Sequence, residues 1–210
     1  FHVTGVQTCA LPISVAAGKI EAKARKIAAN LLEAAEADLE FVDGKFSVAG
    51  TDKSVTIKAV AQAAFQPARL PKGMEPGLYE TGTFTPVQDT YPNGCHVCEV
   101  EIDPDTGKID VVRYSVSDDV GTVINPTTLK GQIHGGVAQG AGQILMERIV
   151  YNPSSAQLVT GSLMDYCVPR ADDLPDITRA LDTSQPCRVN PLGAKGCGES
   201  GTVGASPAVV

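Results

Sequence analysis

The chain carries 24 acidic against 17 basic side chains in 210 residues, a formal net charge of -7, with 43% hydrophobic and 20% charged content. Those proportions are ordinary for a globular chain, and an acid excess without a lysine/arginine cluster argues against a nucleic-acid surface. No run approaches the roughly 18 apolar residues needed to span a bilayer, and with Trp absent the core must come mainly from Val, Ile, Leu and Ala.

Residues 1–13 (FHVTGVQTCALPI) show no amphipathic period and lack the basic start and continuous apolar core of a secretory signal. They read as an unrelated, artefactual leader. From Ser14, Ile20, Ala24, Ile27, Leu31 and Ala35 recur at spacings of three and four, which predicts a helix with one buried stripe. Leu39–Val48 is two alternating runs around Asp43-Gly44, a hairpin signature. Val55–Ile57 reads as a short strand and Lys58–Phe65 as a short helix. Pro67, Pro71, Gly73, Pro76 and Gly77 then mark an internal boundary, dividing a 14–75 region from a 76–210 region.

Tyr79–Thr85 is strand-like. Cys95–Ile102 alternates, Asp103-Pro-Asp-Thr-Gly107 is a turn, and Ile109–Val116 completes a second hairpin, read as plain sheet scaffold. Cys95 and Cys98 form a lone C-x-x-C around His96. A structural zinc needs a second ligand pair, whereas Cys9, Cys167, Cys187 and Cys197 are scattered singly. Reduced, mostly buried thiols of a cytoplasmic protein are expected instead.

Asn125 suits a helix N-cap and Pro126 the first turn, predicting a helix that runs to about Arg148. Its glycines at 131, 135, 136, 140 and 142 imply close approach of another helix or of a ligand. Gln132, Gly136, Gln139 and Gln143 share one face, and spacing alone leaves both readings open. His134 has no carboxylate or second His at i+3 or i+4, so a hydrogen-bonding role is expected rather than metal ligation. Thr160–Tyr166 reads as a turn into a short strand ended by Pro169, with Asp165 orienting local amides. Ile177–Leu181 reads as a further strand, and Ser206-Pro207 as the start of a helix.

Between these last two lies a glycine-rich stretch, Asn190-Pro-Leu-Gly-Ala-Lys-Gly-Cys-Gly-Glu199-Ser-Gly-Thr-Val-Gly204. Its glycines uncover backbone amides for close approach of a ligand. Glu199 stands alone within it, and a carboxylate in a dry pocket can be raised toward neutrality and accept a proton. A glycine-rich surface turn with a solvated Glu is the alternative. A phosphate loop is excluded, because Gly196 follows Lys195 and the glycine spacing differs.

This stretch, Gly121-Thr-Val-Ile-Asn-Pro126 through Gly131-Gln132-Ile-His134-Gly135-Gly136-Val-Ala-Gln139-Gly140, and Thr160-Gly-Ser-Leu-Met-Asp165-Tyr166 through Asp172 together resemble the large, molybdenum-binding subunit of the xanthine dehydrogenase/aldehyde oxidase/carbon monoxide dehydrogenase family. The resemblance runs from about Ser14 onward and implies a C-terminal fragment. It implies an α+β fold of hairpins and helices forming part of the molybdopterin-binding domain, with 14–75 a helix-plus-hairpin subregion and 76–210 the active-site subregion. It implies hydroxylation of an electrophilic carbon with oxygen from water, with Glu199 as base. Gln132 would position the cofactor, and Lys195, Gly196, Cys197 and Gly198 would contribute to its pocket, with no side chain ligating the metal. Also implied are molybdenum–molybdopterin in its cytosine dinucleotide form, an iron–sulfur subunit and an FAD-binding subunit as partners, and a dimer of heterotrimers. A degenerate family member acting as a binding or assembly module is the competing expectation.

Overall fold

In the computed structural model, which describes residues 10–210, the chain divides into two compact units, Leu11–Thr85 and Pro86–Val210. The division falls about ten residues beyond the expected boundary at 75/76. Helix α1 (Ala10–Leu32) opens the first unit. Ala10–Ile13, placed by the sequence in the leader, form its first turn with Leu11 buried, and the rest of that leader lies outside the described residues.

The buried stripe of α1 centres on Ala24, Ile27 and Ala28, close to the expected one. Ala35, expected at its end, is exposed, because the helix stops at Leu32 and Glu33 takes a left-handed φ of 52°. Strands β1 (Leu39–Val42) and β2 (Lys45–Val48) pair antiparallel about Asp43 and Gly44. Both turn residues have positive φ (50° and 73°), as a two-residue hairpin matching strand twist requires. Strand β3 (Ser54–Thr56) adds to β2, and helix α2 (Ile57–Ala63) follows, its first turn capped by the Thr56 hydroxyl. Phe46, Ile27 and Val60, all fully buried, join the helices to this sheet.

The second unit begins without a strand in front of it. Tyr79–Thr85, expected as a strand, has no regular structure, and Tyr79 is exposed. Its alternating residues find no pairing partner among the described residues, and β propensity alone does not make a strand. Strands β4 (Asn93–Ile102) and β5 (Ile109–Asp119) form the second hairpin, with a register shift at Glu99/Val100. Strand β6 (Ile177–Leu181) runs parallel to β5. Tyr114, Val116 and Asp118 are buried at alternate positions of β5, marking its inner face.

Helix α3 (Pro126–Leu145) starts as expected: Asn125 Oδ1 accepts from Thr128 N–H at 3.0 Å and Pro126 occupies the first turn. Helix α4 (Ser200–Val209) packs along it. The expected start near Ser206 is corrected, since Pro207 lies inside α4. Gly201 and Ala205 seat the helix against α3 six residues earlier than the local signal, so tertiary contact overrides it. Thr160–Tyr166 forms turns and no strand. Tyr114, Leu129, Ile133 and Val137 make the core of this unit. Helices set beside small separate sheets give the α+β class expected.

Candidate active site

The glycine-rich stretch is fastened before it reaches Glu199. Asn190 Nδ2 donates to Ala194 O at 2.8 Å, and Gly193 O accepts from Thr122 N–H at 2.9 Å and Cys187 N–H at 2.8 Å. Lys195 N–H donates to Val120 O at 2.9 Å, so the stretch lies along the chain leaving β5. Gly121 and Gly193 meet there with φ of 63° and 68°. A Cβ on Gly121 would fall 2.2 Å from Gly193 O, which is why this crossing takes glycine.

The candidate residues then separate by direction. Gly196, Gly198 and Glu199 line a hollow of about 180 Å³ together with Thr90, Pro92, Ser200 and Val203. Gly196 N–H donates to the Thr90 hydroxyl at 3.3 Å, closing one wall. Cys197 faces the core and is 1% exposed. Lys195 Nζ lies 2.5 Å from Asp119 Oδ2, with side chains only 12% and 10% exposed. Gln132 is half-buried on α3 and is not among the residues lining the hollow.

Glu199 is the N-cap residue of α4 by position, yet its carboxylate makes no capping hydrogen bond. Its carbonyl accepts from Val203 N–H at 3.0 Å, and Ser200 Oγ donates to Cys197 O at 3.1 Å. The side chain is exposed at the rim of the hollow, where the residues alone left both a dry pocket and a solvated turn open. Uncapped amides at a helix start carry partial positive charge, and here they adjoin the bare backbone at Gly198. Helix-start amides of this kind suit a hydrogen-bonding or anionic group.

The face of α3 bearing Gly136 and Gln139 is a helix contact. A Cβ on Gly136 would meet Gly201 Cα and Thr202 N at 2.9 Å, and Thr202 Oγ1 donates to Gly136 O at 3.0 Å and Gln139 Oε1 at 3.3 Å. Gly131 and Gly135, by contrast, border open space. His134 has a buried Nε2 without a hydrogen-bond partner, and burial, helped by Lys130 and Arg179, lowers its pKa. Asp165 Oδ2 accepts from Ser162 Oγ at 2.9 Å within its own turn.

No group of three His, Cys, Asp or Glu side chains able to hold a metal occurs among the described residues. The cysteine expectation needs correction, for Cys95 and Cys167 are exposed and, among the described residues, only Cys197 is fully buried. No described helix is long and apolar enough to cross a membrane. The sequence alone assigned no role to Thr90, His96, Asp118 or Asp119. The available signal was Asp118-Asp119, two adjacent acidic residues closing a strand-like run just before Val120-Gly121.

The molybdopterin cofactor-binding domain model matches residues 6–175. The chain belongs to this family. It is 42% identical over 197 residues to the carbon monoxide dehydrogenase large chain of Hydrogenophaga pseudoflava, covering 93% of this chain and 24% of that one. It is 37% identical over 187 residues to the 6-hydroxypseudooxynicotine dehydrogenase complex subunit gamma of Paenarthrobacter nicotinovorans, covering 89% and 23%. The crystal structure of a Cu,Mo-CO dehydrogenase superposes with a TM-score of 0.82 at 38% identity, over 92% of this chain and 24% of that one. Quinoline 2-oxidoreductase from Pseudomonas putida 86 gives 0.80 at 39% identity, over 92% and 25%. The chain therefore spans about a quarter of the length of these relatives and corresponds to a fragment of a molybdenum-binding large subunit.

Proposed function

We propose that this chain is part of a molybdenum hydroxylase that oxidises an aldehyde, N-heterocycle or related small substrate with oxygen from water, and that Glu199 is its base. The observation that carries the reading is the placement of Glu199. A single carboxylate stands at the rim of a hollow lined partly by the glycine backbone of Gly196 and Gly198, beside a helix start that it does not cap, in a chain of the molybdopterin-binding family.

When bound, a molybdenum–molybdopterin group would supply the two-electron oxidation. This chain's residues do the rest. Glu199 spends neither oxygen on capping α4, so its carboxylate is available to take a proton, a contribution of about 10² to 10⁴ in rate for a positioned base. Gly196 and Gly198 leave one part of the hollow's wall as bare backbone, and the Gln132 amide offers a donor and an acceptor to a pterin edge. The remainder of the subunit would close over Glu199 and dry it. Both compact units are subregions of the one molybdopterin-binding domain.

The cytosine dinucleotide form of the cofactor, an iron–sulfur subunit, an FAD-binding subunit and a dimer of heterotrimers belong to the same proposal. The names of the relatives, a "large chain" and a "complex subunit gamma", support partner subunits. The test is made on the assembled enzyme containing the full-length subunit. Glu199→Gln should lower kcat about 10³-fold while molybdenum and acid-released CMP stay near stoichiometric. Undiminished kcat would remove Glu199 from the role of base. A well-assembled complex lacking molybdenum would favour the degenerate binding module. The isolated 210 residues should show no turnover.

A further inference from the structure

Two consecutive aspartates at the end of β5 grip the chain on either side of Glu199. Asp119 holds the entry side. Its Oδ2 pairs with Lys195 Nζ at 2.5 Å, four residues before Glu199, and its Oδ1 accepts from Gly121 N–H at 2.8 Å. Asp118 holds the exit side. Its Oδ1 lies 3.4 Å from His96 Nε2, with side chains 2% and 5% exposed. The other ring nitrogen, Nδ1, lies 2.7 Å from the Tyr114 hydroxyl. A neutral imidazole can therefore accept from Tyr114 and donate to Asp118, which locks the ring plane. That ring supports α4 at Gly204, five residues after Glu199, where a Cβ would come within 2.5 Å of three ring atoms.

Buried charge pairs are a weak source of stability, because desolvation offsets most of their attraction, but breaking one by removing a single partner leaves the other charge uncompensated. Asp119–Lys195 is such a charge pair and Asp118–His96 a buried polar contact; flanking one carboxylate, from adjacent residues of one strand, the two suit a role in geometry. We propose that Asp119–Lys195 and Asp118–His96 are positioning pairs that fix where the Glu199 carboxylate stands. On this assignment Lys195, which the sequence gives to the cofactor pocket, acts on Glu199 through Asp119. The inference rests on Glu199 being the base.

The test uses the assembled enzyme with Lys195→Met, Lys195→Arg and Asp119→Asn in the full-length subunit, and Glu199→Gln as control. Lys195→Met should lower kcat by about 10²-fold, the effect of displacing a reacting group by about an ångström, with KM and molybdenum content little changed. Lys195→Arg should restore part of it, and Lys195→Met/Asp119→Asn should be no worse than Lys195→Met, as for one interacting pair. Unchanged kcat would overturn the proposal. So would loss of cofactor in proportion to activity, which makes Lys195 a cofactor ligand. Hydrogen exchange gives a readout independent of turnover. Faster exchange confined to residues 196–204 in Lys195→Met, and in His96→Ala, supports bracing; exchange that is unchanged or raised throughout the unit overturns it. If Glu199→Gln keeps full activity, the base reading falls, and the exchange result alone decides whether the pairs position this segment.

Discussion

Gly204 of α4 lies against the imidazole of His96 on β4 so closely that a Cβ would come within 2.5 Å of its Cγ, Cδ2 and Nε2. The ring cannot swing away cheaply, since Tyr114 and Asp118 hold its two nitrogens. Gly204→Ala should therefore lower stability by about 1–3 kcal/mol, the usual cost of overpacking a well-packed site. A lower urea midpoint at unchanged m-value would show it. An unmoved midpoint would mean that the ring relaxes freely.

Glycines of the α3–α4 pair should respond to alanine with opposite signs. A Cβ on Gly201 would meet Ile133 O at 2.5 Å and Val137 N at 2.9 Å, both α3 backbone that cannot yield. Gly201→Ala should cost about 1–3 kcal/mol or more. Gly131 and Gly135 sit in the interior of α3 with nothing within 4 Å of the added atom. Gly131→Ala should raise stability by up to about 1 kcal/mol, the difference in helix propensity. Paired thermal melts check both, and a Gly131→Ala melt below wild type would contradict the open space seen at that position.

Local signals were legible and long-range ones were not. Asn125-Pro126 and Asp43-Gly44 each specify their structure within a few residues, through a cap and a left-handed turn, so α3 and the first hairpin could be read directly. Ser206-Pro207 is as good a local helix start, yet α4 begins at Ser200 because Gly201 fits α3, a contact no nearby residue announces. The same limit governs the site. Glycine density marked the stretch around Glu199, but no residue near Lys195 in the sequence announces Asp119, 76 residues earlier, as its neighbour. His96 reads as a strand residue until Gly204 is seen resting on its ring.

Thiol chemistry should follow the corrected burial. Cys95 and Cys167 are exposed, Cys98 is partly buried with its thiol pushed up by desolvation, and Cys197 is 1% exposed in the core. Since the thiolate is the reactive form, iodoacetamide near pH 8 should label Cys95 and Cys167 first, Cys98 slowly, and Cys197 only after unfolding. Peptide mass spectrometry over a time course reads the order. Early labelling of Cys197 in the folded chain would show that the stretch before Glu199 opens readily.

Asp118 gives the pH dependence a definite sign. Burial raises its carboxyl above the ordinary value of 3.8, and the attraction and hydrogen bond of His96 only partly offset this. Between 3.8 and the raised value, the folded chain keeps a proton that the unfolded chain has released. Stability from this group is thus present at low pH and lost as pH rises through that window. Asp118→Asn keeps an oxygen that can accept from His96 and removes the ionisation. The variant should therefore gain on wild type as pH rises from about 4, with the smallest difference at the acid end. Asp103, Asp173 and Asp182 have the opposite sense, held low by hydrogen bonds from Thr106, Arg170 and Ser184 respectively. Their stability is lost as pH falls, but it is common to both chains and cancels in the comparison. Urea midpoints of the two chains across this range measure the difference. A gap that instead moves against the variant as pH rises would show that His96 stabilises the Asp118 carboxylate by more than burial penalises it.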